Sequence, residues 1–366
     1  MSKDKLYSVQ YLRGLAALAV VYVHAVNLQQ SCGGVSLQEN FYFLKSIGLC
    51  GVDIFFIISG FIICYMSHEE SGWKNFIYFI KKKFTRINPV YYVSSLILLL
   101  CYLIFQGSLF SLDSILKTIT IVPIFDSGDE FVYPILYVGW TLSYEWLFYI
   151  FYAVFIGFSI VKGREIYLFS LFFVLFLIGF FFPVHEIHYT FITNPMFLEF
   201  GVGMLIAVIY RKINKVNILI PLSLGLVAMA ILIYLLINGH GQVGEAFLIN
   251  NGIFTWHRLI VFGVPTTLLL ICFLFWERKT SLHFPKKDSL LLLGDASFSI
   301  YLIHPILFFV LNSTLKKELT MVNPDLLIIL LVVASAVLGI AYHKFVEKKL
   351  ISLFSNMLLS KKISKL

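Results

Sequence analysis

Arg13 and His24 are the two residues whose types and spacing point most directly to chemistry. They stand eleven residues apart, which on an α-helix is about 1,100°, three full turns with about 20° left over, and about 16 Å of rise. One helix face thus carries a permanent cation toward one end and an imidazole that titrates near neutral pH toward the other. Ala16, Ala17 and Val20 lie between them with Gly14 alongside, small enough for a slender molecule or a second helix to approach. Each residue also has a bland role in a bilayer, in which Arg13 snorkels to one surface and His24 reaches the other. A shared functional path is the alternative, in which neutral imidazole acts as general base or as nucleophile.

Further ionisable groups interrupt apolar runs at Asp53, Glu145, Glu199, Asp295 and His304. Such groups are costly in lipid, so they face a cavity or a partner. Asp53 sits in Gly51-Val52-Asp53-Ile54-Phe55-Phe56, where it could cap a helix start or serve in catalysis, and Ser59-Gly60 reads as a packing notch. Glu145 falls between Trp140 and Trp146, which reads as an interfacial position near the outer boundary of a span. Tyr301 and His304 share a face at i and i+3, with Pro305 next in the chain; His304 could equally be a hydrogen-bonded packing residue. Glu347, in Phe345-Val346-Glu347-Lys348-Lys349, most simply balances its lysines. The basic stretch Lys81-Lys82-Lys83-Phe84-Thr85-Arg86, read as a loop, is a topology signal that could also seat a multiply phosphorylated ligand.

Elements that could hold such residues must be membrane spans. Of 366 residues, 59% are hydrophobic and 13% charged, about half the charged share of a soluble protein. The apolar content comes in runs of membrane-spanning length, which argues against a water-soluble enzyme. Ten runs are expected, at 7–27, 47–66, 87–106, 139–160, 166–182, 196–210, 217–238, 257–276, 289–313 and 324–343; the sixth is short and could start earlier. With the N-terminus in the cytoplasm, 22 Lys and Arg fall on the cytoplasmic side and 4 on the other, the asymmetry that the positive-inside rule requires. Both termini are therefore expected inside. The net charge of +8 then reflects topology, and nucleic acid is not an expected partner. The external loop 107–138, with Asp113, Asp126, Asp129 and Glu130, is the expected place for an external acceptor to touch. A cleaved signal peptide is disfavoured because Arg13 breaks its apolar core. Cys32, Cys50, Cys64, Cys101 and Cys272 show no metal or redox spacing, and Cys32 and Cys50 read as unpaired thiols.

Taken together, the segments resemble the acyltransferase-3 family, membrane enzymes that O-acylate surface polysaccharides, lipid-linked sugars and related glycans. The resemblance rests on Leu12-Arg13-Gly14-Leu15-Ala16-Ala17 with His24, the block from Gly51 to Phe61, Arg86-Ile87-Asn88-Pro89-Val90-Tyr91-Tyr92, Trp140-Thr141-Leu142 with Glu145, Phe298-Ser299-Ile300-Tyr301-Leu302-Ile303-His304, and Phe345-Val346-Glu347-Lys348. Two departures stand out. Lys82 and Lys83 occupy positions where relatives commonly carry arginines, and Lys349 replaces the proline of the closing Glu-Lys-Pro.

The resemblance implies an all-α polytopic protein of the bacterial cytoplasmic membrane, with one membrane domain over 1–350 and a basic tail over 351–366. It implies an acyl-CoA donor, most often acetyl-CoA, no metal, and transfer to a sugar hydroxyl of a glycan or lipid-linked acceptor. Lys82, Lys83, Arg86 and Arg13 are then expected to hold the donor, with His24 as general base. Asp53, Glu145 and Glu347 are the carboxylates available to orient it, and Trp140, Tyr301 and His304 are the substrate contacts. The rival reading is a proton-coupled transporter or flippase of glycan precursors, against which stands the absence of an internal repeat. A non-catalytic scaffold for glycan assembly is a third.

Overall fold

The structure is a computed structural model that describes residues 6–33, 43–121, 131–213, 216–238, 246–253, 255–280 and 289–359. Among them every regular element is helical. Asp126, Asp129 and Glu130 of the expected acceptor loop lie outside these residues. In chain order the helices are α1 (Tyr7–Ser31), α2 (Phe43–Ser67), α3 (Trp73–Gln106), α4 (Leu112–Thr120), α5 (Trp140–Gly157), α6 (Arg164–Phe181), α7 (Ile187–Ile192), α8 (Met196–Lys212), α9 (Leu219–Asn238), α10 (Ala246–Asn250), α11 (Thr255–Arg258), α12 (Val264–Thr280), α13 (Ser289–Asp295), α14 (Ser297–Thr314), α15 (Lys316–Met321), α16 (Pro324–Tyr342) and α17 (Lys348–Leu359). Wide π turns at Leu259–Gly263 and His343–Glu347 join α11 to α12 and α16 to α17.

Eight stretches among the described residues are long and apolar enough to cross a membrane. The expected fourth and seventh spans, α5 and α9, are not among them, and the apolar part of α9 is the shorter Leu219–Leu235. The short sixth span reaches back to Ile187 through α7.

The fourth run departs from expectation for a physical reason. Instead of starting at a surface, α5 follows a stretch buried inside the bundle, where Ile135, Leu136 and Val138 are almost fully covered. Hydrogen bonds hold that stretch down: Thr118 Oγ1 accepts from the Ile135 amide at 2.8 Å, and the Ser143 hydroxyl donates to the Ile121 carbonyl. Trp140 and Trp146 are consequently buried, so they are packing residues and not an interfacial belt. The basic stretch also differs from the expected loop. Residues 81–89 are helical and belong to α3, a single helix of 34 residues with Pro89 inside it.

At the core α2 packs along α1 on one side and α8 on the other. The contact with α8 is close enough that a Cβ on Gly60 would collide with the Phe200 carbonyl, and one on Gly203 with the Ile57 carbonyl. Small residues permit this backbone approach, where dispersion replaces the hydrophobic drive that lipid removes.

The cation-rich helix ends have partners as well. Arg164 is fully buried and donates to the carbonyls of Ile160, Ser67 and Glu70 at 2.7, 3.2 and 2.5 Å. Arg211 donates to the Cys64 carbonyl at 3.0 Å. Both supply donors to carbonyls at or beyond the end of α2, where helix geometry leaves them without partners. Gly60→Val should therefore force α2 and α8 apart. The expected outcome is a protein that reaches the membrane but aggregates on size-exclusion chromatography in mild detergent, whereas Gly107→Ala, which meets open space at a helix end and costs only about 1–2 kcal/mol for its left-handed backbone, stays monodisperse.

Candidate active site

A cavity lies where α1, α2, α3, α5 and α14 meet. Helical spacing explains its lining. Val52, Phe55, Ser59 and Ile62 form one stripe of α2; Lys83, Arg86 and Ile87 form one of α3; Thr141, Leu142, Glu145 and Tyr149 come from α5, and Phe298 and Tyr301 from α14. Arg13 enters from α1. Lys82 is exposed and does not line the cavity, because one residue along a helix is about 100° around it. Of the expected donor residues, the structure thus brings together Arg13, Lys83 and Arg86.

Glu145 is the carboxylate of this cavity. Its Oε1 accepts from the Ser59 hydroxyl at 2.9 Å and from the Tyr149 hydroxyl. Lys83 places its ammonium 4.7 Å from the Tyr149 ring centre and 5.2 Å from that of Phe79, within cation–π range. Arg13 lies in the combined field of Arg86, Glu145 and Glu347. Among the described residues no carboxylate is in ion-pair contact with Arg13, Lys83 or Arg86. Three cations with one hydrogen-bonded carboxylate leave the cavity with positive charge to offer an anion.

His24 lies beyond the cavity lining. Its described neighbours are Tyr137, whose hydroxyl is 3.2 Å from Nδ1, and His304, whose ring stacks on it at 5.1 Å. His304 is fully buried, with Nδ1 3.3 Å from the Ile300 carbonyl and Nε2 without a partner among the described residues. Tyr301 connects the two regions. It lines the cavity, donates to the Val138 carbonyl at 2.7 Å and sits 3.0 Å from Thr141 Oγ1. The turn 137–139, buried at Val138 and Gly139 and exposed at Tyr137, therefore touches the imidazole through Tyr137 and the cavity through Val138 and Tyr301.

The three carboxylates expected as partners for His24 are engaged elsewhere. Asp53 is fully buried and takes two bonds from Arg258, at 3.1 Å to Oδ1 and 2.6 Å to Oδ2, while Arg258 also donates to the Leu49 carbonyl at 2.9 Å. Glu199, also buried, lies in the field of the same Asp53 and Arg258. Glu145 belongs to the cationic cavity, well away from the interfacial position expected for it. Glu347 is buried rather than turned toward its lysines, and accepts from Ser299 at 2.5 Å and meets His343 Nδ1 at 2.8 Å. Trp140 packs edge-on against Tyr144 at 5.9 Å and is not part of the lining. All five cysteines are free thiols.

Sequence reasoning missed Tyr137, which it left in the external loop, and Ser59, which it read only as a packing notch. It also gave Arg258 no partner. A buried arginine needs a carboxylate or unpaired carbonyls, and that Arg258 meets Asp53 rather than Glu145 depends on which helices are neighbours.

Comparison with known proteins gives the class of this helical membrane protein: the acyltransferase-3 family model, described as an acyltransferase domain, matches residues 6–343, and the chain belongs to that family. It is also similar to the exopolysaccharide production protein ExoZ of Rhizobium meliloti (strain 1021), with 29% identity over 311 residues, covering 84% of this chain and 90% of the relative. No solved structure matches.

The ion pair predicts how Asp53 variants behave. Asp53→Ala leaves Arg258 buried beside Glu199 alone, so the expected result is a loss of about 3–5 kcal/mol of stability, as for other broken buried pairs. Thermal denaturation in detergent measures this. A variant that keeps its Tm but loses catalytic rate would return Asp53 to the reacting centre.

Proposed function

We propose that this chain is an O-acyltransferase that moves an acyl group, acetyl in the simplest case, from cytoplasmic acyl-CoA to a sugar hydroxyl of a surface polysaccharide or lipid-linked glycan. The observation that carries the reading is the cationic cavity of Arg13, Lys83 and Arg86, in which no described carboxylate pairs with the cations, on the helix whose same face leads to His24. The family supplies the acyl transfer, and the name of the relative concerns exopolysaccharide production. The charge asymmetry supports cytoplasmic termini and a cytoplasmic-membrane location, with the cavity reached from the cytoplasm.

In this reading Lys83 and Arg86 hold donor phosphate, and Arg13 guides the pantetheine arm along α1. The distance of about 16 Å between Arg13 and His24 along the helix suits a donor whose phosphates and thioester are far apart. His24 takes the proton of the acceptor hydroxyl as its oxygen attacks the thioester carbonyl carbon. The C–O bond forms, the C–S bond breaks, and the proton passes to the departing thiolate, so the products are an O-acyl sugar and CoA thiol.

No carboxylate is assigned to orient the imidazole. In this reading Tyr137 takes that part by accepting from Nδ1–H, which makes Nε2 the unprotonated nitrogen of the ring. Stacked His304 restricts ring rotation. Tyr301 and Thr141 tie the turn that carries Tyr137 to the cavity wall.

His24→Ala should abolish transfer of radiolabelled acetyl groups from acetyl-CoA while protein level and membrane insertion stay unchanged; full activity would remove His24 from the mechanism. Tyr137→Phe should retain donor KM and lower kcat by about tenfold or more, a modest part of a general-base effect. Lys83→Gln with Arg86→Gln should raise the KM for acetyl-CoA more than it lowers kcat. An unchanged donor KM would leave those cations with a role in topology alone.

A further inference from the structure

A second cavity opens where α6 ends, between the 183–189 turn, the start of α8 and residues 251–253 and 255–256. Its chemistry is unlike that of the first. Aromatic rings from Phe180, Tyr189 and Trp256 share the lining with Thr190, Asn194 and Asn251, and none of the lining residues is Lys, Arg, Asp or Glu. Apart from the imidazole of His185, which is exposed, such a site has nothing to neutralise a phosphate or a carboxylate. It favours an uncharged ligand with apolar faces for the rings and polar edges for the amides.

The polar groups are set to accept hydrogen bonds. The Thr190 and Thr193 hydroxyls donate to the Val184 and Tyr189 carbonyls at 3.3 and 2.8 Å, and the Tyr189 hydroxyl donates to the Ile178 and Phe182 carbonyls. With their hydrogens committed inside the protein, these oxygens keep lone pairs for hydroxyl donors. Glu186 is occupied at the helix start, accepting from the amides of His188 and Tyr189 at 3.0 and 2.8 Å. Trp256 remains 40% exposed, and its ring meets Phe180 edge-to-face at 6.4 Å. An interfacial aromatic belt would account for the rings but not for the hydroxyl oxygens of Tyr189, Thr190 and Thr193 gathered beside them; Asn194, only 4% exposed, is structural, its Oδ1 accepting from the Met196 amide at 3.1 Å.

The cavity is also wired to the candidate active site. Asn194 donates to the Tyr144 hydroxyl at 3.1 Å and to the Ile249 carbonyl at 2.9 Å, and Tyr144 in turn donates to Asn250 at 3.2 Å. Asn251 accepts from the Phe131 amide at 3.2 Å. Phe131 begins the buried stretch that ends in the turn carrying Tyr137 to His24. One hydrogen-bonded wall thus runs from this cavity toward the imidazole, at the same end of the bundle.

We propose that this second cavity is a subsite for uncharged sugar residues of the acceptor glycan, remote from the hydroxyl that is acylated. The proposal rests on the glycan-acceptor reading above. Its test uses a deacylated oligosaccharide of several repeats cut from the producing organism's own surface polysaccharide, with the methyl glycoside of its acylated sugar as the short acceptor. Trp256→Ala should weaken oligosaccharide binding, measured by calorimetry on the full-length protein in detergent, and raise the oligosaccharide KM by about tenfold, with the short acceptor's KM moving less than about twofold. Trp256→Phe, which keeps a ring, should recover most of the binding.

Equal oligosaccharide binding by the wild type and Trp256→Ala, or no binding by the wild type, overturns the subsite. Binding that depends on Trp256 without acyl transfer to either acceptor keeps the subsite and overturns the acyltransfer reading instead.

Discussion

The constraint on which this structure depends is that an ionisable side chain removed from water must find a charge or hydrogen-bond partner before the helices around it can close. The Asp53–Arg258 pair shows it most directly. Both side chains are essentially inaccessible, and the arginine fork engages both carboxylate oxygens and the Leu49 carbonyl. These bonds join α2 to α11 across more than two hundred residues of chain. Glu199 of α8 shares the cluster, so the charge-bearing face of α2 is settled together with its glycine contact to α8. Breaking such a pair costs more than forming it contributes, because the surviving charge stays buried. The pair specifies the arrangement of α2, α8 and α11 more than it stabilises them.

With one face of α2 committed in that way, its other face is left to the cationic cavity. Arg13, Lys83 and Arg86 obey the constraint differently. Their described surroundings offer aromatic rings, other cations and a single carboxylate held by Ser59 and Tyr149. The charge left over is what a phosphorylated donor would complete. The same rule accounts for Arg164 and Arg278, which resolve their charges against carbonyls, and for Arg211, which adds Glu165 at 3.4 Å to the Cys64 carbonyl. Positive residues that read identically in sequence therefore divide into those that end helices and those that face a cavity.

Much of the fold was legible because lipid imposes length and apolarity on a helix, and both are visible in a single sequence. The runs around Arg13, Asp53 and His304 are helices as expected. The fourth run was misjudged because hydropathy reports how apolar a segment is and not at what depth it begins. Trp140 and Trp146 look interfacial by type, yet the buried stretch before them carries both into the packed interior. Lys82 and Lys83 are indistinguishable as neighbours in sequence and part company only because a helix turns by about 100° per residue.

From its sequence alone this chain is a helical protein of apolar spans, with Arg13 and His24 on one face of one helix and positive charge gathered in alternate connecting segments. Those features follow from local periodicity and composition, and no partner helix is needed to see them. Which carboxylate meets which cation, that Tyr137 and His304 flank His24, and that Ser59 and Tyr149 hold Glu145 were decided only by tertiary structure. These pairs join residues from 4 to 205 positions apart, and the longer ones depend on which helices become neighbours and how each is rotated. Helix rotation follows from close packing at Gly60 and Gly203 and from burial of the Asp53–Arg258 pair, neither of which leaves a pattern in any one segment.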